Sequence, residues 1–222
     1  MNKEKFYQLK KNSDDQKAEL YLYGEITSIK WFVEDVTSYD LAQELIELGS
    51  RDLVVRINSY GGEAAVGLAI YNLLKSYPGK VTTICDGFAC SAASVIFMAG
   101  TERITPKSSL LMIHNVWTTA SGDANELRKA AEDVEKITQP SIEIYKENSN
   151  LSYEEIKTMM DEERWITADE ALSYGFATSI VESMPQQSVQ DTMLNKLVLK
   201  NKELEQKIKE STQPTVQNGW FF

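Results

Sequence analysis

The chain has 222 residues, 42% of them apolar and 25% charged, a balance typical of globular proteins that bury a sizeable core. Its formal net charge of −10 argues against nucleic acid or an anionic membrane as a partner, because both are bound through basic patches. The sequence has neither an apolar run of about 18 residues nor an apolar signal segment after residues 1–5, so we expect a soluble cytoplasmic protein. Cys85 and Cys90 match no zinc or redox spacing and are predicted to be small core residues.

Strands and helices alternate through the first half of the chain. Period-two apolar runs bounded by turns predict strands, and apolar residues three or four positions apart predict helices. In chain order the predicted elements are a strand at 18–26, a helix at 38–48, a strand at 53–58, a helix from 63 to about 76, a strand at 81–85 and a helix at 92–99. The turn Ser59-Tyr60-Gly61-Gly62 joins the second strand to its helix.

The second half begins with short strands and continues with helices. In chain order the predicted elements are strands at 103–104 and 109–114, a long amphipathic helix at 125–148, a helix from 153 to 160, and a last helix that Gly175 ends. Ser152 and Thr167, each followed three residues later by a glutamate, are predicted N-caps. Pro140 is expected to kink the long helix.

The alternation indicates an α/β domain of stacked βαβ units with a mostly parallel sheet. After Met184 the composition changes to a linker, a charged helix at 194–208 and an aromatic end. The predicted parts of the chain are therefore an N-terminal segment 1–17, one domain at 18–184 and a C-terminal appendage at 185–222.

Ser91 is a candidate nucleophile, because it lies at a strand-to-helix corner among small residues that let a scissile carbonyl approach. The helix that begins there directs backbone N–H groups at a developing oxyanion. The same features also describe a serine that merely caps a buried helix. Gly61-Gly62, at another such corner, offers a second donor or is an ordinary tight turn, and no phosphate-loop motif is present.

His114 is the only histidine, so any ordinary imidazole acid–base chemistry near neutral pH depends on it. The alternative is a core histidine with satisfied hydrogen bonds. A catalytic triad also needs a carboxylate to orient the imidazole. The acidic run Asp161-Glu162-Glu163 supplies candidates, although it also fits a solvated helix end.

Together these blocks resemble the ClpP peptidase family, in family order, from about residue 18 to 183. The matching blocks are Ile57-Asn58-Ser59-x-Gly61-Gly62, Gly87-x-Ala89-x-Ser91, Met112-Ile113-His114 and Arg164-x-x-x-Ala168-x-Glu170-Ala171-x-x-Tyr174-Gly175. The resemblance implies the stacked ββα spiral shared by ClpP and crotonases, with a long protruding helix for ring assembly. It also implies a serine endopeptidase that uses no metal or cofactor.

The functional residues implied by the resemblance are the nucleophile Ser91, the general base His114 and, as backbone donors of the oxyanion hole, Gly62 and Ala92. The family's aspartate aligns without a gap onto Glu163, whose side chain is longer by one methylene. Asp161, two residues earlier, is the alternative third member of the triad.

The family's partners are protein substrates, further copies of the subunit in stacked rings, and an ATP-driven AAA+ unfoldase. Here the ring contact is expected from a strand at 116–121 and the helix at 125–148, with an exposed apolar stripe. The stripe consists of Leu127, Val134, Ile137 and Ile144.

Three departures from the family pattern resemble its phage- or prophage-encoded branch, which is associated with capsid maturation. Tyr60 replaces the proline of the glycine turn, residues 5–17 do not resemble the pore loop beside the unfoldase, and the C-terminal helix is an addition. Two alternatives to a peptidase remain at this point: a catalytically silent ring or scaffold subunit, and a crotonase-type CoA-thioester enzyme. The latter would not need Ser91 and His114 together.

Overall fold

The computed structural model describes residues 9–11, 17–27 and 38–182 of the chain. The chain divides into two units, Met1–Met184 and Pro185–Phe222, and every described residue lies in the first. The predicted charged helix and aromatic end therefore lie outside the described residues. Within the described ranges, none of the helices is long and apolar enough to cross a membrane.

The described residues form eight strands and six helices. The strands are β1 (Leu9–Lys11), β2 (Lys17–Leu22), β3 (Asp52–Ser59), β4 (Val81–Cys90), β5 (Glu102–Pro106), β6 (Leu110–Met112), β7 (Trp165–Thr167) and β8 (Ser179–Val181). The helices are α1 (Ser38–Leu48), α2 (Ala64–Lys75), α3 (Ala92–Phe97), α4 (Ala124–Glu147), α5 (Tyr153–Asp161) and α6 (Ala168–Ser173). The six helices predicted before residue 184 are all present, and β1, β7 and β8 were not predicted.

The strands form one sheet in the order β1-β2-β3-β4-β5-β8, with β6 and β7 attached beside β4. Strands β2 to β5 and β8 are parallel, and among the strands that the structure describes only the pairs β1–β2 and β6–β7 are antiparallel. Leu53, Val55 and Ile57, which share one face of β3, are each 0% exposed, so this face of the central sheet lies in the core. The predicted α/β fold with a parallel sheet is confirmed.

Strand β4 is longer than predicted and holds the centre of the sheet. The apolar pattern stops at Cys85 because Asp86 and Gly87 interrupt it, yet the strand continues to Cys90. Its first half pairs with β5 and its second half with β6, both in parallel. Cys85 and Cys90 are buried and form no disulfide bond, as expected for small core residues.

A bulge bends β4 between these two halves. The register against β3 shifts between Ile57 and Ser59, so three residues of β4 lie opposite the single Asn58. The Oδ1 atom of Asn58 accepts a hydrogen bond of 3.1 Å from the backbone N–H of Phe88. A Cβ atom on Gly87 would lie 2.7 Å from that same oxygen, so a larger residue there would displace the Asn58 side chain from this hydrogen bond. The bulge redirects the strand toward Ser91.

Helix α4 differs from its prediction in which residues it buries. It begins with a capping box at Asp123, continues past Pro140 and ends at Glu147. Its first buried residue is Thr138, so the first half extends beyond the core. Ile144 is only 8% exposed, so its predicted place in an exposed stripe is wrong, because the C-terminal half of α4 packs on the core.

The other features predicted for the ring contact, namely the exposed apolar side chains of α4 and a strand at 116–121, are confirmed only in part. Leu127 and Ile137 are each 45% exposed, as predicted. The segment predicted as a strand at 116–121 forms no strand in the described part of the chain.

Candidate active site

Ser91 lies at the corner between β4 and α3. Its backbone has φ 55° and ψ −127°, a conformation that L-residues adopt only at a cost of about 1–3 kcal/mol. The backbone N–H of Ser91 donates a hydrogen bond of 2.9 Å to the carbonyl oxygen of Met112, which ties the corner to β6. The Ser91 side chain makes no capping hydrogen bond to α3. The alternative reading of Ser91 as a helix-capping serine is therefore not supported.

The hydroxyl of Ser91 contacts the imidazole of His114 instead. A hydrogen bond of 2.8 Å joins Ser91 Oγ to His114 Nε2. His114 follows β6, which pairs with the end of β4, so the sheet itself brings the two residues together across 23 positions of sequence. Burial lowers the pKa of His114 below its ordinary value of 6.5, and the negative charge of Glu163 opposes that shift. A neutral imidazole at neutral pH is able to accept the serine proton.

Glu163 comes just before β7 and His114 just after β6, so the antiparallel pairing of these two strands brings the two residues near each other. Met112 pairs with Trp165 in this antiparallel ladder, and the N–H of Ile113 donates a hydrogen bond of 3.2 Å to the carbonyl of Arg164. Beyond this pair His114 continues one segment and Glu163 precedes the other, and the charge of Glu163 acts on the imidazole. Glu163 has φ 52°, the second left-handed non-glycine residue of the described chain. Among the described residues no carboxylate hydrogen-bonds to the His114 ring, so Glu163 acts on it through charge.

Asp161 is engaged elsewhere. Its carboxylate accepts a hydrogen bond of 2.8 Å from the side-chain amide of Asn115 and one of 2.9 Å from Lys157. Both bonds lower the pKa of Asp161, and the bond from Lys157 has the larger effect. Because Asn115 directly follows His114, this contact holds the end of α5 against the histidine segment. The structure thus places Glu163 where its charge acts on His114, whereas Asp161 bonds to Asn115, the residue after the histidine.

The glycine turn packs directly on the serine corner. Gly61 has φ 97°, and a Cβ atom there would lie 2.6 Å from Ser91 Cβ. Gly62 has φ 149°, and its Cβ would lie 2.0 Å from the carbonyl oxygen of Ile26. Both positions therefore require glycine. The hydroxyl of Ser59 accepts a hydrogen bond of 3.1 Å from the N–H of Gly61 and fixes the turn.

The backbone N–H groups of Gly62, in the glycine turn, and of Ala92, which follows Ser91, donate to no backbone acceptor among the turn and cap hydrogen bonds of the described residues. The adjacent N–H groups of the glycine turn and of the strand end are engaged, since Gly61 donates to Ser59, Glu63 to Ile26 and Ser91 to Met112. These two groups flank the corner that carries the serine hydroxyl. They are available to an anionic oxygen there.

A buried hydroxyl pair that the sequence analysis did not predict braces the first turn of α3. Ser94 Oγ donates a hydrogen bond of 2.6 Å to the carbonyl oxygen of Ser91 and lies 2.7 Å from the hydroxyl of Tyr145. Tyr145 packs edge-on against Phe176, with ring centroids 5.8 Å apart. The feature of the sequence that could have indicated this buried hydroxyl is a serine, Ser94, inside an otherwise apolar helix.

A buried ion pair anchors the bulge of β4. Arg56 donates hydrogen bonds of 2.7 and 2.5 Å to the two carboxylate oxygens of Asp86, and the hydroxyl of Tyr23 donates a third of 2.5 Å. Burial raises the pKa of Asp86, although Arg56 and Tyr23 oppose this shift. The feature of the sequence that could have indicated a buried acidic partner is Arg56, which lies in the middle of the largely apolar strand β3. Separating Arg56 from Asp86 would leave an uncompensated buried charge. The ion pair therefore opposes any rearrangement of the bulge that would move these two residues apart.

A serine and a histidine joined at the end of a parallel strand, with two available N–H groups beside them, characterise a serine hydrolase. Comparison with known proteins then identifies the family. The sequence model of the Clp protease family matches residues 10–184, and the chain belongs to that family.

Named relatives agree with this assignment. The chain is 36% identical over 157 residues to ATP-dependent Clp protease proteolytic subunit 3 of Rhodococcus jostii, which covers 68% of this chain and 78% of the relative. It is 32% identical over 155 residues to the ATP-dependent Clp protease proteolytic subunit of Bacteroides fragilis, covering 67% and 75%. It is 29% identical over 177 residues to the ATP-dependent Clp protease proteolytic subunit 2 of Thermobifida fusca, a match that covers 77% of this chain and 87% of the relative. The chain is therefore a serine-type endopeptidase.

Proposed function

We propose that Ser91, His114 and Glu163 are the nucleophile, general base and orienting acid of this endopeptidase. We also propose that the N–H groups of Gly62 and Ala92 form its oxyanion hole. The observation that carries the proposal is the hydrogen bond of 2.8 Å between Ser91 Oγ and His114 Nε2. It occurs at a corner where the serine backbone adopts an unfavourable conformation and its hydroxyl caps no helix.

The chemistry follows from this arrangement. His114 Nε2 removes the hydroxyl proton as Ser91 Oγ attacks the carbonyl carbon of the peptide bond, and the carbonyl oxygen becomes an oxyanion between the two N–H groups. His114 then gives the proton to the departing amine, which leaves an ester on Ser91. Water repeats the sequence: His114 takes its proton, the hydroxide oxygen attacks the ester, and the proton returns to Ser91. Glu163 stabilises the transient imidazolium.

Neither alternative from the sequence is favoured. A silent scaffold subunit has no need of an unfavourable backbone at Ser91 or of a hydrogen bond from its hydroxyl to the single histidine. A crotonase-type thioester enzyme uses the oxyanion donors but does not require the serine–histidine pair.

A serine-reactive fluorophosphonate probe tests the proposal. We expect the probe to modify wild-type protein at Ser91, and we expect Ser91→Ala and His114→Ala to abolish or severely slow labelling. Ser76→Ala is the matched control, because it removes an exposed hydroxyl at the end of α2 that bonds only locally to Leu73. Labelling that persists in Ser91→Ala, located by mass spectrometry at another residue, would reject the assignment.

We further propose that the subunit assembles into stacked rings. The relatives are named proteolytic subunits, and the outer half of α4 supports such a contact here. Its exposed side chains include Leu127 and Ile137, and Trp117 nearby is 76% exposed. Such apolar surface favours burial against another copy. Light scattering is expected to give a multiple of the subunit mass, and a mass of 25.1 kDa at micromolar concentration would contradict assembly.

The biological role we propose is processing of capsid or scaffold proteins in a phage or prophage setting. The support is the set of sequence departures, chiefly Tyr60 in the glycine turn and the unfamiliar segment 5–17. Cytoplasmic location and an AAA+ unfoldase partner stay predictions, and the unfamiliar segment 5–17 makes docking of that partner doubtful. Co-expression with candidate capsid proteins, comparing wild type with Ser91→Ala, tests the role. Cleavage products that appear in both strains would contradict it.

A further inference from the structure

A buried segment that follows β2 contacts both halves of the candidate active site. Residues 23–27 come directly after that strand, and all of them except Glu25 are buried. At one end of the segment Tyr23 reaches the strand that leads to the nucleophile. At the other end Ile26 and Thr27 reach the glycine turn and the start of α2. We call residues 23–27 the bridging segment.

Ile26 fixes the direction in which Gly62 presents its backbone N–H. The N–H of Ile26 donates a hydrogen bond of 2.9 Å to the carbonyl oxygen of Gly61, and the N–H of Glu63 donates one of 2.7 Å to the carbonyl oxygen of Ile26. These bonds form a parallel bridge between Ile26 and Gly62. Because the bridge uses the residues on either side of Gly62, the N–H of Gly62 itself points to the opposite side. Strand β3 lies between β2 and β4, so that side is the side of β4 and Ser91.

Two side-chain hydroxyls also join the bridging segment to the glycine turn and to α2. Ser59 Oγ donates a hydrogen bond of 2.6 Å to the carbonyl oxygen of Gly24 and accepts the hydrogen bond from the N–H of Gly61. Thr27 Oγ1 donates a hydrogen bond of 2.8 Å to the carboxylate of Glu63, the N-cap residue of α2. Both hydroxyl residues are buried, so these bonds are stronger than they would be in water. The bridging segment therefore holds the turn by side chains as well as by backbone.

Tyr23 joins the same segment to the strand that leads to Ser91. Its hydroxyl donates the hydrogen bond of 2.5 Å to Asp86, the first residue of the β4 bulge, which also binds Arg56. Burial raises the pKa of Tyr23, and the carboxylate of Asp86 raises it further, so the hydroxyl is a donor at neutral pH. The bulge sets the course of β4 toward Ser91. Tyr23 therefore acts on the nucleophile through Asp86.

We propose that the bridging segment positions the nucleophile and the oxyanion donor relative to each other, with Tyr23 and Thr27 as its positioning residues. The inference rests on the proposed roles of Ser91 and Gly62 and adds the residues that set the geometry between them. The oxyanion forms at a fixed distance from the attacking oxygen, so a donor on a different part of the chain must match that distance. Ser91 follows β4 and Gly62 follows β3, and the bridging segment is bonded to both regions. A misplacement of about 1 Å in such a geometry is enough to cost about 100-fold in rate.

Replacement of tyrosine by phenylalanine tests the link to β4. Tyr23→Phe removes the hydroxyl that binds Asp86 and keeps the ring. We expect kcat for a fluorogenic peptide to fall about 10-fold while KM stays within about two-fold, the pattern of an interaction that matters only in the transition state. The affinity for a peptide boronate should fall by the same factor as kcat, because its adduct with Ser91 places an oxygen between the oxyanion donors. A role in folding alone would lower Tm without changing either quantity.

Tyr77→Phe is the matched control. Tyr77 and Tyr23 are each 8% exposed, and the Tyr77 hydroxyl donates a hydrogen bond of 2.8 Å to the carbonyl oxygen of Arg51. Arg51 precedes β3, so Tyr77 lies at the end of this strand opposite to the glycine turn, at a distance of roughly 20 Å along the sheet. We expect Tyr77→Phe to lower Tm and to leave kcat and boronate affinity unchanged.

Two substitutions of Thr27 test the link to α2 in the same assays. Thr27→Val replaces the hydroxyl by a methyl group, whereas Thr27→Ser keeps the hydroxyl that binds Glu63. We expect Thr27→Val to lower kcat and boronate affinity by about 3- to 10-fold, and Thr27→Ser to keep both close to the wild-type values.

The outcomes separate the positioning role from the proposed function. Values of kcat and boronate affinity in Tyr23→Phe equal to those of Tyr77→Phe would overturn the positioning role. Should Tyr23→Phe not fold, the two Thr27 variants decide: a loss in Thr27→Val that Thr27→Ser restores supports the role, and equal kcat values in the two overturn it. Failure of wild type to hydrolyse any peptide in a Ser91-dependent manner would overturn the proposed function and the positioning role with it.

Discussion

The two sides of the candidate active site are held in different ways. The serine side rests on α3, whose residues are all buried, and on the close approach of Gly61 and the hydroxyl pair of Ser94 and Tyr145. The acid side rests on the contact of Asn115 with Asp161, whose side chain is 48% exposed. The nucleophile is thus fixed by packing, whereas the acid is held by contacts that water weakens.

This contrast teaches that the three members of the proposed triad are not equally pre-organised. Ser91 and His114 already share a hydrogen bond, while Glu163 influences His114 through charge. We therefore expect catalysis to depend most on the serine–histidine pair, less on Glu163 and least on the residues that brace the corner.

The largest expected effect comes from the pair itself. Ser91→Ala and His114→Ala should each lower kcat by about 10⁴–10⁶, and the double variant should be no worse, because the two residues act as one unit. Steady-state hydrolysis of a fluorogenic peptide measures this, with circular dichroism to show that the fold is kept. Additive losses in the double variant would mean that the two residues act independently.

Replacement of the acid should have a smaller effect. Glu163→Gln is expected to lower kcat by about 10²–10⁴ with little change in KM or Tm, because the amide no longer stabilises the imidazolium. It should also lower the pKa of His114 further, since the charge of Glu163 raises that pKa. The pH–rate profile should therefore shift to lower pH.

Asp161→Asn is the matched control for Glu163→Gln, because it changes a carboxylate to an amide two residues away. It breaks the ion pair with Lys157 but leaves the pH midpoint in place. A loss of activity and a shifted midpoint in Asp161→Asn alone would show that Asp161 is the acid and that the gapless alignment onto Glu163 is wrong.

The smallest effect on rate is expected at the brace. Ser94→Ala removes a buried hydroxyl that is 0% exposed and leaves Tyr145 without its partner, at a cost of about 1–3 kcal/mol of stability. Thermal melting should register this loss, while the rate of the folded enzyme falls by less than about 10-fold. Ser76→Ala should leave Tm unchanged. Equal Tm values for Ser94→Ala and wild type would show that the brace contributes no stability.

Much of the fold follows from local signals in the sequence. Capping boxes at Ser152 and Thr167 and the apolar spacing in α1 predicted helices that the structure confirms. Strands β7 and β8 have three residues each, too few for an alternating pattern, and exist only through their pairing. The second half of β4 was missed for the same reason, since its partner β6 compensates for Asp86 and Gly87.

The candidate site likewise contains residues that the sequence identifies and contacts that it does not predict. Ser91 and His114 stand out by residue type and neighbours, so sequence alone identified them. The contacts of Asn115 with Asp161 and of Ser94 with Tyr145 join residues 46 and 51 positions apart, and neither side chain carries a local signal of its partner. Helical periodicity likewise cannot tell which turns of α4 pack on the core, which is why Ile144 was assigned to the wrong surface.

The central claim is that His114 activates Ser91, and the rate of fluorophosphonate labelling of Ser91 as a function of pH tests it most directly. Neutral imidazole is the active form, so labelling should rise with pH and level off above the pKa of His114, which lies below 6.5. In His114→Ala the rise should disappear and labelling should fall to the rate of an ordinary serine. A flat profile from about pH 5 to 9 in wild type, or equal labelling of wild type and His114→Ala, would contradict the claim.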